Sequence, residues 1–283
     1  MTKQIYLDYN ATVPILKEVK NSLISCMDIG PLNASSIHYF GRKGKDIIND
    51  AKSNISNLIN ANNSEIIFTG SATEAINLLF SNFDNIIVSS IEHLAVLSSA
   101  NSNHIIPVDK NGLIDLNYLD LYLKKNVKNK RKTLVSVMWV NNETGVIQPI
   151  NEVIRIAKKY ECLVHSDAAQ ALGKIKINLE ETELDFITLS GHKIGAPTGT
   201  GAVWCREGRL LNSLLAGGGQ EQGRRSGTEN LCGICGFAAA AKLARPSTIG
   251  HMRLWRDQAE QMIIQHCPKV EVIGVTASRL VNT

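Results

Sequence analysis

Thr188-Leu189-Ser190-Gly191-His192-Lys193-Ile194-Gly195-Ala196-Pro197-Thr198-Gly199-Thr200-Gly201 decides how this chain is read. The apolar run Phe186 to Leu189 predicts a buried strand, and Gly201 to Cys205 predicts the next one. Between them lies a Gly/Pro/Thr-rich loop, so Lys193 falls just past a strand end among small residues. A solvated lysine titrates near 10.4 and is a poor nucleophile at neutral pH. A pocket that desolvates it, or sets it beside another cation, favours the free amine and attack on a carbonyl carbon. The ordinary alternative is a solvated surface lysine, and only the rest of the chain distinguishes the two.

Outward from this stretch, strands and helices alternate. Upstream, Arg42 to Asn60 carries Ile47, Ile48, Ala51, Ile55, Leu58 and Ile59 at helical spacing. Strands are predicted at Glu65 to Thr69, Asn85 to Ser89, Ile105 to Val108, Thr133 to Val140 and Cys162 to Ser166. Helices are predicted at Ala72 to Phe80, Leu94 to Ala100, Leu116 to Leu123 and Pro149 to Tyr160. This alternation predicts an α/β fold, a mainly parallel sheet with helices on both faces. Downstream, Phe237 to Leu243 and His251 to Cys267 read as helices and Val270 to Val275 as a strand. Ile5 to Thr12 reads as an extended arm ended by Pro14.

The 283 residues are 44% hydrophobic and 20% charged, enough for a large core. A net charge of +4 makes no case for nucleic acid or a membrane surface as partner. The basic run Lys124 to Lys132 reads as a solvated loop. Met1 to Ile5 lacks the apolar stretch of a signal peptide, and no apolar run is long enough to span a bilayer. The six scattered cysteines suit a reducing, cytoplasmic compartment better than a disulfide framework. Cys232-Gly233-Ile234-Cys235 has the spacing of a metal or redox motif, but helical context and the lack of a second cysteine pair favour two core residues.

In sheets of this kind ligands collect beyond the carboxyl ends of the strands. The residues there are Gly70-Ser71-Ala72-Thr73-Glu74, Glu92-His93, Asn141-Asn142-Glu143-Thr144-Gly145 and Asp167-Ala168-Ala169-Gln170. The first could present backbone N–H groups to a phosphate, or Ser71 or Thr73 could simply cap the helix. His93 could equally be structural, and the Asn/Gly string a plain turn. Asp167, at the end of an apolar strand, calls for a cationic partner. A further loop, Gly217 to Glu229, adds small residues and the cations Arg224 and Arg225.

The order and wording of these strings resemble the cysteine desulfurases of the NifS/IscS type. These are class V members of the fold type I pyridoxal-phosphate enzymes. Tyr6-Leu7-Asp8-Tyr9-Asn10-Ala11-Thr12, Ser71-Ala72-Thr73-Glu74, Glu92-His93, Asn141 to Gly145, Ser190-Gly191-His192-Lys193 and Arg225-Ser226-Gly227-Thr228 carry the likeness. It implies that Lys193 carries pyridoxal 5'-phosphate and moves the Cα proton, and that His93 stacks on the ring and assists proton transfer. Asp167 would pair with the pyridine nitrogen, Gln170 with the ring oxygen, and Asn142 would fix the ring. Ala72, Thr73, Ser190 and His192 would hold the phosphate, and Thr228 would reach the phosphate of a neighbouring subunit in a homodimer. The implied reaction converts L-cysteine to L-alanine, with sulfur passed through an enzyme thiol to an iron–sulfur scaffold or other acceptor protein.

The same resemblance divides the chain into an arm, residues 1–14, that belongs to a small domain; a cofactor-binding large domain, 15–245; and the start of that small domain, 246–283, with Pro246 to Gly250 as hinge. In the family the persulfide-forming cysteine and the arginine that binds the substrate carboxylate lie beyond the position matching Thr283. None of the six cysteines occupies a matching Ser/Gly-rich loop. Thr198 stands where the family has lysine, and Val13 replaces a polar residue. The expectation is a desulfurase-like protein that binds cofactor but releases little sulfide alone. Alternatives left open are another class V aminotransferase or lyase, and a non-catalytic remnant or partner of a complete subunit.

Overall fold

The alternating strands build one seven-stranded sheet in the order β1-β7-β6-β5-β4-β2-β3. The structure is a computed structural model and describes residues 4–62, 65–100, 104–127, 132–209, 211–246 and 250–283. The strands are β1 (Ile66–Thr69), β2 (Asn85–Ser89), β3 (Ile105–Ile106), β4 (Thr133–Ser136), β5 (Leu163–Asp167), β6 (Phe186–Ser190) and β7 (Gly201–Cys205). The block from β3 to β6 is parallel. β7 runs antiparallel between β1 and β6, because the short Ile194 to Thr200 loop can only turn the chain back.

Strand residues alternate between two apolar layers, which is why the runs are mainly apolar on both faces. Ile66, Phe68, Ile187, Leu189, Ala202 and Trp204 face the layer shared with α2 (Tyr39–Ile59), α6 (Ile150–Lys159) and α7 (Leu231–Leu243). Ile67, Phe186, Val203 and Cys205 face the layer of α3 (Ala72–Phe80). Helices α4 (Leu94–Ser99) and α5 (Leu116–Asn126) complete the connections. The sequence misses α1 (Lys17–Asp28), which has no side-chain cap. It nonetheless buries Val19 and Cys26 against the core.

One further expectation is corrected. Val270 to Val275 forms no strand: Gly274 takes φ +77°, and Val270, Ile273 and Val275 stay exposed. The pairing lies later instead, where Ile147 N donates to Ser278 O and Leu280 N to Gly145 O, both at 2.8 Å. The helix before it is α8 (Met252–His266), with no buried residue of its own. Residues 247–249 of the expected hinge, and 128–131 of the basic run, lie outside the described residues. Cys232 and Cys235 are partly buried on α7, where Cys235 Sγ faces Ser22 O of α1 at 3.6 Å.

Candidate active site

The carboxyl ends of β2, β4, β5 and β6 open into one cavity of about 700 Å³, a volume that suits a small cofactor with its substrate. Ala72, Thr73, His93, Asn142, Asp167, Gln170, Ser190, His192 and Lys193 all line it, with Asp8 and Asn10 of the arm. Thr228 does not. It lines a separate small cavity with Thr69, Gly70, Arg225 and Asn230.

Lys193 sits on the single 3-10 turn, Gly191–Ile194, that follows β6. Gly195 ends that turn at φ +89°, a left-handed conformation that favours glycine. The Lys193 ammonium donates to Asn10 O at 2.6 Å and Ala11 O at 3.0 Å. Burial pushes its pKa down, opposed by the charges of Asp167 and Asp8. His192, next to it, is also held low by burial and by Lys193, and its Nδ1 meets Thr12 Oγ1 at 3.1 Å.

Asp167 ends β5 and is almost wholly buried. Its Oδ1 accepts from Ala169 N at 2.9 Å. Burial raises its pKa, against the Ala169 bond and the charges of His93 and Lys193. A carboxylate in this position is stabilised most by a cation brought directly against it.

At the first turn of α3, Ser71 accepts from Glu74 N at 3.1 Å, and Glu74 returns the contact to Gly70 N at 2.8 Å. Ser71 is thus the cap and Thr73 is not; the same turn also lines the cavity. A Cβ on Gly201 of β7 would lie 2.4 Å from Ser71 C and 2.6 Å from Ala72 N. Only glycine lets the strand approach the helix start so closely. His93 caps α4, its Nδ1 accepting from Ala95 N at 3.1 Å, which leaves Nε2 to carry the proton of the neutral ring. Asn141 ties its own turn through Glu143 N and Thr144 N, so Asn142 is the amide that faces the cavity.

Residues 5–282 match the family model "Aminotransferase class-V". The chain belongs to the class V aminotransferase family. It is 37% identical to the cysteine desulfurase of Cereibacter sphaeroides, covering 99% of this chain and 76% of that protein. It is 35% identical to the cysteine desulfurase IscS of Dictyoglomus turgidum, covering all of this chain and 75% of that one. The fold superposes on the NifS-like protein of Rickettsia africae with a TM-score of 0.92 at 37% identity, covering 99% and 80% of the two chains. A structure described as SspA in complex with cysteine gives a TM-score of 0.82 at 29% identity, over 91% of this chain and 78% of that one. The chain is therefore cysteine desulfurase-like, in an enzyme family of pyridoxal-phosphate-dependent sulfurtransferases, and the mainly parallel fold type I architecture is that of its neighbours.

Sequence reasoning missed three participants. Asn10 lies within the arm yet joins Lys193, Gln170, Lys174 and Asn142. Lys174 stands four residues after Gln170, a one-turn spacing. Glu92 is buried; its Oε1 accepts from Ser89 Oγ and, at 2.7 Å, from Met138 N. Among the described residues no group of His, Cys, Asp and Glu side chains forms a metal site, and no helix is long and apolar enough to cross a membrane.

Proposed function

We propose that this chain holds pyridoxal 5'-phosphate in the cavity at Lys193 and acts there on L-cysteine. The donor set fits that cofactor. A desolvated amine, a buried carboxyl and a capped helix start, closely backed by a glycine strand, line one cavity. Bound there, the cofactor supplies an electron sink for the Cα carbanion.

The chain's own residues do the rest. Asp167 would hold the proton on the ring nitrogen: burial raises its pKa, and a ring N–H brought against it would stabilise the carboxylate. Gln170 would donate from Nε2 to the ring oxygen, and Asn142 and His93 would bound the ring. The N–H groups of Ala72 and Thr73, with Ser190 and His192, would receive the phosphate at the α3 terminus, where the helix dipole favours an anion. Lys193 Nζ moves the proton at the substrate Cα. Overall, cysteine and a thiol RSH give alanine and RSSH. RSH is the enzyme thiol of the family reaction, from which an iron–sulfur scaffold or other acceptor protein receives the sulfur; among the described residues no cysteine lines the cavity.

A homodimer fits the surface around Thr228. Leu214, Leu215, Ile37 and Tyr39 are exposed on or beside the Gly217 to Glu229 loop, which reaches Ser35 through Gln220. Thr228 of each chain would serve the cavity of the other. Six free cysteines fit a reducing compartment such as the cytoplasm.

The observation that carries the reading is the pairing of Lys193 with Asp167 across one cavity. Borohydride reduction after incubation with pyridoxal phosphate, then peptide mapping, should place the cofactor mass on Lys193. Lys193→Ala should abolish the yellow absorbance and the label. A label on another lysine with Lys193 unmodified would refute the assignment.

A further inference from the structure

Gln170 and Lys174 lie on the single helical turn that follows β5, where Leu172 N donates to Ala168 O at 2.9 Å and Ile175 N to Ala171 O at 3.1 Å. Gly173 sits within it at φ +70°, and a Cβ there would lie 3.0 Å from Ile194 of the Lys193 turn. The two turns are thus packed together. Lys174 Nζ donates to Gln170 Oε1 and, at 3.1 Å, to Asn10 Oδ1. Gln170 Nε2 donates to Asn10 O at 2.9 Å, the same oxygen that accepts from Lys193 at 2.6 Å.

An ammonium only donates, so the amide atom facing Lys174 must be oxygen. That fixes the other end of Gln170 as –NH₂. One of its hydrogens goes to Asn10 O, and the second remains for the cavity that Gln170 lines. Left unpinned, the amide could flip and present an acceptor to an acceptor. Lys174 itself does not line the cavity; it stands behind Gln170, half-buried.

We propose that Lys174 is a positioning residue of the cofactor site, locking the Gln170 amide so that it donates to the ring oxygen of the bound cofactor. The proposal rests on the reading that pyridoxal phosphate binds at Lys193. Burial and the neighbouring Lys193 charge push the Lys174 ammonium down to about 8. A cation held at that expense beside another cation needs acceptors, and Gln170 Oε1 and Asn10 Oδ1 are the ones it has.

The test is a binding cycle on the whole apo protein, with pyridoxal phosphate as probe and bound-cofactor absorbance as readout. Lys174→Met should weaken binding about 10- to 100-fold, the loss of a hydrogen bond set by a charged group. It should also shift the absorbance maximum of the bound cofactor. Gln170→Ala should do the same, and Lys174→Met added to it should cost less than about threefold more, because the two act in series. Gln170→Glu keeps a partner for Lys174 but offers the ring an acceptor, and should weaken binding as much; it tests the idea even where Lys174→Met fails to fold. Near wild-type affinity and spectrum in Lys174→Met or Gln170→Glu would overturn the proposal, as would fully additive losses. If wild type itself carries no Lys193-linked cofactor, the reading beneath it falls, and the proposal with it.

Discussion

At the scale of single residues, Glu92 shows a cost that the turn before His93 carries. Its Oε1 binds Ser89 and Met138, while its Oε2 is buried without a hydrogen-bond partner. Burial first, and Asp167 nearby, raise its pKa from 4.5 to about 8. The folded protein therefore keeps this proton over a range in which the unfolded chain has lost it. Below pH 4.5 both states are protonated and the group costs nothing. Between 4.5 and 8 stability falls as pH rises, and above 8 the loss is complete. Glu92→Gln keeps the acceptor for Ser89 and Met138 and cannot ionise. Denaturant titrations should find it close to wild type at pH 4.5, and more stable by on the order of a few kcal/mol at pH 8. A stability difference that does not grow across that range would show that Glu92 is charged in the fold. The cavity-lining residues legible in the sequence were those at strand ends, Lys193, Asp167, His93 and Asn142, because topology alone gathers them. Asn10 and Lys174 were not. Asn10 meets Lys193 and Gln170 through its main-chain oxygen and Lys174, Asn142 and Thr283 through its amide, all far away in sequence, and Lys174 acts from behind Gln170, so neither partnership can be read from one stretch.

At the scale of elements, strands were legible because both sheet faces are covered, so most strand positions are apolar and the polar ones, such as His165 and Thr188, are buried too. Phe186 to Ser190 and Gly201 to Cys205 came out within a residue. The reversed direction of β7 was not drawn from the sequence, although the loop before it is too short for a parallel crossover. The false strand at Val270 to Val275 had the composition but finds no partner edge, and composition cannot supply one. The close approach of β7 to α3 leads to a sharp expectation. Gly201→Ala puts a Cβ against backbone at Ser71 and Ala72, which cannot swing aside as a side chain would. Overpacking of this kind costs about 1–3 kcal/mol. The strain should fall on the α3 start, so pyridoxal phosphate should bind more weakly while pyridoxal without phosphate is affected less. Equal losses for both would place the strain elsewhere.

At the scale of the molecule, the one expected site residue outside the cavity is the most informative. Thr228 is exposed, and its loop is anchored rather than loose. Lys52 pairs with Glu221 at 2.8 Å, both nearly buried, and Arg225 grips Glu74 at 2.6 Å, on the same α3 turn that faces the cavity. Glu221 and Gln222 accept left-handed backbone to keep that course. In the proposed homodimer this loop, held firmly, bearing an exposed hydroxyl and flanked by exposed Leu214 and Leu215, is the surface that meets the second copy. If Thr228 serves the partner's cavity, defects in the two residues should complement. Thr228→Val alone should weaken cofactor binding about tenfold, one hydrogen bond to a charged phosphate. Lys193→Ala alone should carry no borohydride-stable label. A mixed dimer of the two, purified with two affinity tags, combines an intact Lys193 on one chain with an intact Thr228 on the other. It should regain wild-type affinity at one site per dimer, and label only the Thr228→Val chain. Binding no tighter than the Thr228→Val homodimer would mean that Thr228 works within its own chain or not at all.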